Sequence, residues 1–211
     1  MRTSAGTAFI VTGPSGTGKT SLVRALLDGL PALELSTSHT TRAPRPGEVD
    51  GIHYHFVDHA AFEGLIAADD MLEYANVFGN LYGTSRAFVN ERLQAGADVI
   101  LEIDWQGARI GRDRLPGAIS IMIAPPSLKA LNNRLISRGQ DTEAIVATRL
   151  AAASEELSHF SEFDYLIVND DFETALGELR TILAAQKLRV ARQAQRFAEL
   201  LQSLTNGPQS P

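Results

Sequence analysis

The apolar positions of this chain fall into short continuous runs separated by stripes at helical spacing. Ala8-Phe9-Ile10-Val11-Thr12 is a run that predicts a buried strand, and Leu22, Val23, Leu26, Leu27 and Leu30 then recur as one face of a helix until Pro31 stops it. Glu34 to Ser38 predicts a second strand. His53-Tyr54-His55-Phe56-Val57 and Leu81-Tyr82-Gly83-Thr84 predict strand pieces around a short helix near Ala60 to Ala68, a small mixed subdomain. Ala97 to Asp104 returns to the core as a buried strand ending in carboxylates, with Glu102 and Asp104 pointing the same way. Ile119 to Ile123 is another apolar strand, broken by Ala124-Pro125-Pro126. Ser127 is placed to cap a helix that carries Leu128, Leu131 and Leu135 and ends near Arg138-Gly139. Past the polar link Gln140-Asp141-Thr142 comes a further helix, then a last strand at Tyr165 to Val168. A long, increasingly polar helix is expected from about Phe172 to Leu204, with Asn206 to Pro211 frayed. Short apolar strands alternating with helices predict an α/β fold with a parallel core sheet flanked by helices, and no internal repeat interrupts them.

The connection between the first strand and the first helix reads Gly13-Pro14-Ser15-Gly16-Thr17-Gly18-Lys19-Thr20. It fits G-x-x-x-x-G-K-[ST], in which backbone N–H groups wrap a nucleotide's phosphates, the lysine reaches the outer phosphates and the hydroxyl helps to hold Mg²⁺. Strand, loop and helix stand in the order this chemistry needs, and the start of the helix points its free N–H groups at the anion.

Composition narrows the class without changing that picture. A chain of 211 residues buries one substantial core, and 44% apolar with 21% charged residues describes an ordinary globular protein. A formal charge of −6 argues against broad binding of nucleic acid or anionic membranes, while leaving room for a local basic cleft. The absence of cysteine removes disulfide and thiol chemistry. No apolar run approaches the ~20 residues of a spanning helix, and Met1 to Gly13 lacks the regions of a secretory signal, so a cytoplasmic protein is expected.

Several side chains are candidates for that cleft. Arg42 and Arg45 lie in Ser38-His39-Thr40-Thr41-Arg42-Ala43-Pro44-Arg45-Pro46-Gly47, whose prolines and glycine make a rigid irregular loop; two fixed guanidiniums can clamp a second phosphate, and a solvated basic turn is the plainer reading. His53, His55 and His59 raise a metal site, but no acidic or cysteine ligand stands at a completing spacing, and satisfied or exposed histidines are expected instead. Glu102 and Asp104 would arrive beside the phosphate loop, since ligands of a parallel sheet lie beyond the carboxyl ends of its strands. Arg134 and Arg138, four residues apart on one helical face, and Arg149 on the next helix flank a glycine-marked turn, which suggests a mobile lid closing on phosphates.

Taken together, these motifs resemble the guanylate kinase family of bacterial type. The resemblance runs from about Phe9 to Arg196 and rests on the phosphate loop, Ser38 to Glu48, Val77-Phe78-Gly79-Asn80-Leu81-Tyr82-Gly83-Thr84, Ile103-Asp104-Trp105-Gln106-Gly107, Arg134 to Gly139, and Val168-Asn169-Asp170-Asp171. It implies a P-loop nucleoside monophosphate kinase fold with core segments 1–37, 86–133 and 151–211, a GMP-binding insert at 38–85 and a helical lid at 134–150. The implied reaction is phosphoryl transfer from ATP to GMP, with Mg²⁺ bridging the ATP phosphates. Ser38, Glu73, Thr84 and Asp104 would face the guanine, and Arg42, Arg45, Tyr54 and Tyr82 the GMP phosphate. Lys19 and the loop amides would bind ATP, Asn169 and Arg138 would contact its adenine, and Arg134, Arg138 and Arg149 would close over the transferring group, with Thr20 near the metal and Glu102 its water-mediated partner. ATP and GMP are the expected substrates, dGMP an expected further acceptor; monomer and homo-oligomer both stay open. Glu102 stands where the family commonly has Asp, and Leu81 where an aromatic is common. The rival readings are a noncatalytic guanylate kinase-like protein-binding module, which typically carries a degraded loop, a P-loop GTPase or ATPase, against which Asn169-Asp170-Asp171-Phe172 does not supply N-K-x-D, and, nearer, a kinase for another monophosphate, against which Glu73 with Ser38 speaks for guanine.

Overall fold

The structure, a computed structural model, describes residues 5–77, 79–137 and 142–206. Its centre is a five-stranded sheet in the order β2-β7-β1-β8-β9, parallel throughout, built from β1 (Ala8–Thr12), β2 (Leu33–Leu35), β7 (Asp98–Glu102), β8 (Ile119–Ala124) and β9 (Tyr165–Val168). Every residue of β1 is buried, which is why its sequence runs apolar without alternation. Phe9 and Val11 pack on one side with Leu22, Val23 and Leu26 of α1 (Lys19–Gly29) and Leu176, Leu179 and Leu183 of α7 (Phe172–Lys187). Ala8 and Ile10 pack on the other with Val89 of α3 (Arg86–Gln94) and Ala108 of α4 (Trp105–Arg114). The result is a sheet with helices on both faces and its ligand edge at the carboxyl ends of β1 and β7.

A second, four-stranded sheet in the order β4-β3-β6-β5 stands apart from the first and comprises β3 (His39–Thr40), β4 (His55–Phe56), β5 (Met71–Val77) and β6 (Asn80–Ser85), with α2 (His59–Ala67) alongside. The helices α5 (Leu128–Ser137) and α6 (Glu143–Ser158) form a third cluster through Leu131, Leu135, Val146 and Ala153, with Leu150 packed against it.

Several boundaries differ from the sequence pattern, each for a local reason. The expected strand from Glu34 to Ser38 is split between the two sheets: Ser36 N–H donates to Ile100 O at 2.9 Å as the last bond to the core sheet, and by Ser38 the chain is already accepting from His55 N–H at 2.9 Å. The strand expected from His53 begins only at His55, because the N–H groups of Ile52 and His53 both turn back to Val49 O. β7 ends at Glu102, so Asp104 does not continue a strand face with it; Asp104 caps α4 and accepts from Gly107 N–H at 2.7 Å. The single helix expected from Phe172 to Leu204 is three: α7, α8 (Val190–Arg196) and α9 (Ala198–Thr205). Extended backbone at Arg189 makes the first break, and the turn carries Arg192 back to the sheet, where it donates to the buried Asp98 at 2.7 Å. Of the frayed tail expected from Asn206 to Pro211, residues 207–211 lie outside the described residues.

Candidate active site

β1 delivers the chain to Gly13 at the ligand edge, and the loop that follows is held by its own groups. Thr17 donates to Pro14 O through its N–H at 3.2 Å and through its hydroxyl at 3.0 Å, and Lys19 Nζ donates to Gly13 O at 3.2 Å. Gly18 is the N-cap of α1 with φ 90°, and a Cβ there would lie 2.5 Å from Asn169 Nδ2, so the backbone angle and the space both demand glycine. With no side-chain cap, the first turn of α1 is left to bind an oxyanion. Thr20 donates its hydroxyl to Glu102 Oε1, which brings the end of β7 against the loop.

Asn169 and Arg134 reach the loop from the far side. Asn169 is buried, its Nδ2 donates to Thr17 O at 2.6 Å, and its own carbonyl accepts from Arg134 Nη2 at 2.9 Å. Arg134, at the end of α5, is thus linked to the phosphate loop through one residue. Arg138 lies outside the described residues.

The second sheet supplies a buried acid. Glu73 on β5 pairs across the hairpin with Thr84 on β6, is 3% exposed, and accepts from the Thr84 hydroxyl at 2.6 Å. Burial pushes its carboxyl up from 4.5 to about 7; the Asp104 charge adds to the rise, and the Thr84 hydroxyl opposes it. Gly107 in α4 is what admits the acid: a Cβ there would sit 2.5 Å from Glu73 Oε2 and 3.2 Å from Asp104 Oδ1. Ser38, also buried, lies between β2 and β3.

Arg42 and Arg45 are fixed by one carboxylate. Arg42 Nη2 donates to Glu48 Oε1 at 2.8 Å, and Arg45 N–H donates to Glu48 Oε2 at 2.7 Å. Bonding to Glu48 raises the Arg42 guanidinium above its ordinary pKa despite partial burial, with the Tyr82 side chain contributing in the same direction. Arg42 also lies over the ring of Tyr54 at 5.4 Å, and Tyr54 meets Tyr82 edge-on at 5.9 Å. Burial first, then the negative charge of Glu102, holds the Tyr54 phenol above its usual range. A cavity of about 410 Å³ is lined by Arg42, Arg45 and Tyr82 from the second sheet and by Ile145, Thr148 and Arg149 from α6.

The histidines do not assemble a metal centre. His53 Nδ1 accepts from Val49 N–H at 3.0 Å, His55 stacks on His39 with ring centroids 4.7 Å apart, and among the described residues no group of three or more His, Asp or Glu is arranged to hold a metal. Two site residues carried no signal of their own. Glu48 sat unremarked at the end of the arginine loop, and Glu156 on α6 accepts from the hydroxyl of Thr12, at the end of β1, at 3.2 Å. For Glu48, nearness in sequence, six residues after Arg42 and three after Arg45, is a usable hint; nothing in the helical pattern around Glu156 distinguishes it from a solvated acid.

A parallel sheet whose central strand feeds a phosphate loop, a small inserted sheet carrying a second cationic cavity, and a helical pair bridging them define a P-loop nucleoside monophosphate kinase fold. The family model described as Guanylate kinase matches residues 5–186. The chain is 54% identical to a guanylate kinase of Alkalilimnicola ehrlichii over 94% of its own length and 98% of the relative's, and 53% identical to one of Pseudomonas fluorescens over 97% and 99%. The crystal structure of guanylate kinase from Anaplasma phagocytophilum superposes with a TM-score of 0.76 at 34% identity, covering 90% of each chain. This chain belongs to the guanylate kinase family.

Proposed function

We propose that this protein transfers the γ-phosphoryl group of ATP to the phosphate of GMP, giving ADP and GDP for guanine nucleotide synthesis and recycling in the cytoplasm. The observation that carries the base assignment is the buried Glu73, presented beside Thr84 and Asp104. Guanine offers N1–H and the 2-amino group as adjacent donors, and one ionised carboxylate accepts both; adenine leaves it unpaired in a buried pocket. The cationic cavity of Arg42, Arg45 and Tyr82 suits the monophosphate, and the phosphate loop with Lys19 suits the triphosphate.

The chemistry is an in-line displacement in which a GMP phosphate oxygen attacks the γ-phosphorus as the bridging oxygen to ADP departs. That nucleophile is already anionic, so positioning and charge neutralisation carry the catalysis. Lys19 neutralises the outer ATP phosphates, Arg42 and Arg45 orient the acceptor, and Arg149 faces both across the cavity. Arg134 and Arg138 belong to the same proposed lid, spanning 134–150, which would exclude water as it closes. The Thr20 hydroxyl and the Glu102 carboxylate meet beside the loop as hard oxygen donors, a set that suits Mg²⁺ shared with phosphate oxygens. When bound, the ion would neutralise charge on the ATP phosphates.

An intact phosphate loop and a Glu48-ordered arginine pair disfavour a noncatalytic module, which needs neither. The test is ADP formation from MgATP with GMP, dGMP, AMP, CMP, UMP or no acceptor. Turnover confined to the guanine acceptors is expected. Preference for AMP or UMP would overturn the base assignment, and acceptor-independent turnover would overturn the reaction.

A further inference from the structure

The mechanism above leaves one half-buried acid unused. Glu156 lies in the last turn of α6, half-buried against the end of β1. Its Oε1 accepts from Thr12 Oγ1 at 3.2 Å, one residue before Gly13 opens the loop. Thr12 is fully buried, so its hydroxyl has no solvent to fall back on. Burial holds the Glu156 carboxyl above the ordinary range, the Lys19 ammonium opposing the rise and the Asp104 charge adding to it.

One turn further on, the same helix is clamped to the other substrate's side. His159, its C-cap, stacks on Trp105 at 3.9 Å between centroids, and Trp105 opens the helix that Asp104 caps and on which Gly107 makes room for Glu73. Glu162 reinforces the clamp by accepting from Arg109 at 2.7 Å and Arg112 at 3.1 Å. The base of α6 is therefore fastened to both halves of the site. Arg149 stands about two helical turns from Glu156 on that rod, at the cavity.

We propose that Glu156 is a positioning residue: by holding Thr12, the residue that leads into the phosphate loop, it seats the base of α6 and so sets Arg149 in register with the ATP phosphates. The inference rests on the phosphoryl-transfer reading. A helix seated on the loop itself follows the loop; without the Thr12 bond α6 is tied to α4 through His159 and to α5 through Val146, Leu150 and Ala153, and nothing there sets its register against the loop. A misplacement of about 1 Å at a reacting centre costs on the order of 100-fold in rate.

The test compares the native chain with Glu156→Ala, Glu156→Gln, Thr12→Val and the double variant Glu156→Ala/Thr12→Val, measuring kcat and KM for each substrate. Glu156→Ala is expected to lower kcat on the order of 100-fold with KM for GMP within about threefold. Glu156→Gln, which keeps an acceptor oxygen, should recover most of that loss, and adding Thr12→Val to Glu156→Ala should cost nothing more. A kcat for Glu156→Ala within twofold of native, a loss confined to KM, or multiplicative losses in the double variant would each overturn the proposal. Should the alanine variant not fold, Thr12→Val, which removes the same hydrogen bond from the other side, is read by the same criteria. Hydrogen exchange separates this from failure of the reaction itself: ATP should slow exchange in residues 145–150 of the native chain and not of Glu156→Gln/Thr12→Val, whatever the acceptor. Equal protection in both would refute the coupling.

Discussion

Replacing Glu73 by Gln separates the fold's interest from the substrate's. Burial is the main reason the carboxyl rises from 4.5 to about 7 in the ligand-free protein. An acid whose folded value exceeds its unfolded one binds its proton more tightly in the native state. The native state is thus most favoured below about 4.5, loses that advantage as pH rises to about 7, and stays at the lower level above. At about 1.4 kcal/mol per pH unit the displacement corresponds to about 3 kcal/mol. Gln carries no charge and keeps an oxygen for the Thr84 hydroxyl, so Glu73→Gln should stabilise the ligand-free protein above pH 7 by up to this amount. For a chain of this size that is roughly 5–10 °C in Tm.

The substrate asks for the opposite. The proposed guanine contact needs the ionised form, which is about half populated at pH 7 and about a tenth populated at pH 6 for an acid titrating near 7. KM for GMP should therefore climb about tenfold from pH 8 to pH 6 in the native enzyme. The GMP phosphate itself titrates near ~6, and Glu73→Gln reports that contribution alone. At pH 8 the variant should bind GMP on the order of 100-fold more weakly, because its amide N–H faces a guanine donor. Thermal melts of both ligand-free proteins from pH 5 to 8.5, beside GMP titrations, make the assay. A Tm difference that is constant across that range, or a variant less stable than native at pH 8, would refute the burial argument.

Other expectations follow from contacts already described. Gly107→Ala places a Cβ 2.5 Å from Glu73 Oε2, so it should raise KM for GMP more than tenfold while leaving KM for ATP within a few fold, at about 1–3 kcal/mol of stability in a denaturant melt. Arg42→Lys keeps the charge but loses the fork that spans Glu48 and a phosphate, and KM for GMP should rise on the order of 10- to 100-fold in steady-state kinetics. Glu102→Ala removes the carboxylate that meets the Thr20 hydroxyl beside the loop; calorimetric titration of ATP at rising Mg²⁺ should then require about tenfold more of the ion for the same tightening.

Much of this molecule is legible in the sequence because the information is local. The phosphate loop announces itself through glycine spacing between an apolar run and a helical stripe, and β1 and β8 stand where continuous burial demands apolar residues; β9, at the sheet edge, is equally apolar although only Ile167 is buried. The helix breaks near Arg189 and Phe197 are less so, since the intervening residues are good helix formers; what bends the chain is a distant partner, Asp98, waiting for Arg192. β5 went unmarked for a similar reason: its residues alternate only weakly, and pairing with β6 decides the strand. The chain by itself fixed which residues carry charge, hydroxyl and glycine. Only the tertiary structure decided what those groups became: Asp104 a helix cap, Glu73 a buried acid under a glycine-sized gap, and Glu156 a partner of Thr12 from the far end of the chain. Periodicity records how a segment meets water, whereas a pKa or a positioning contact depends on which segments fold against one another.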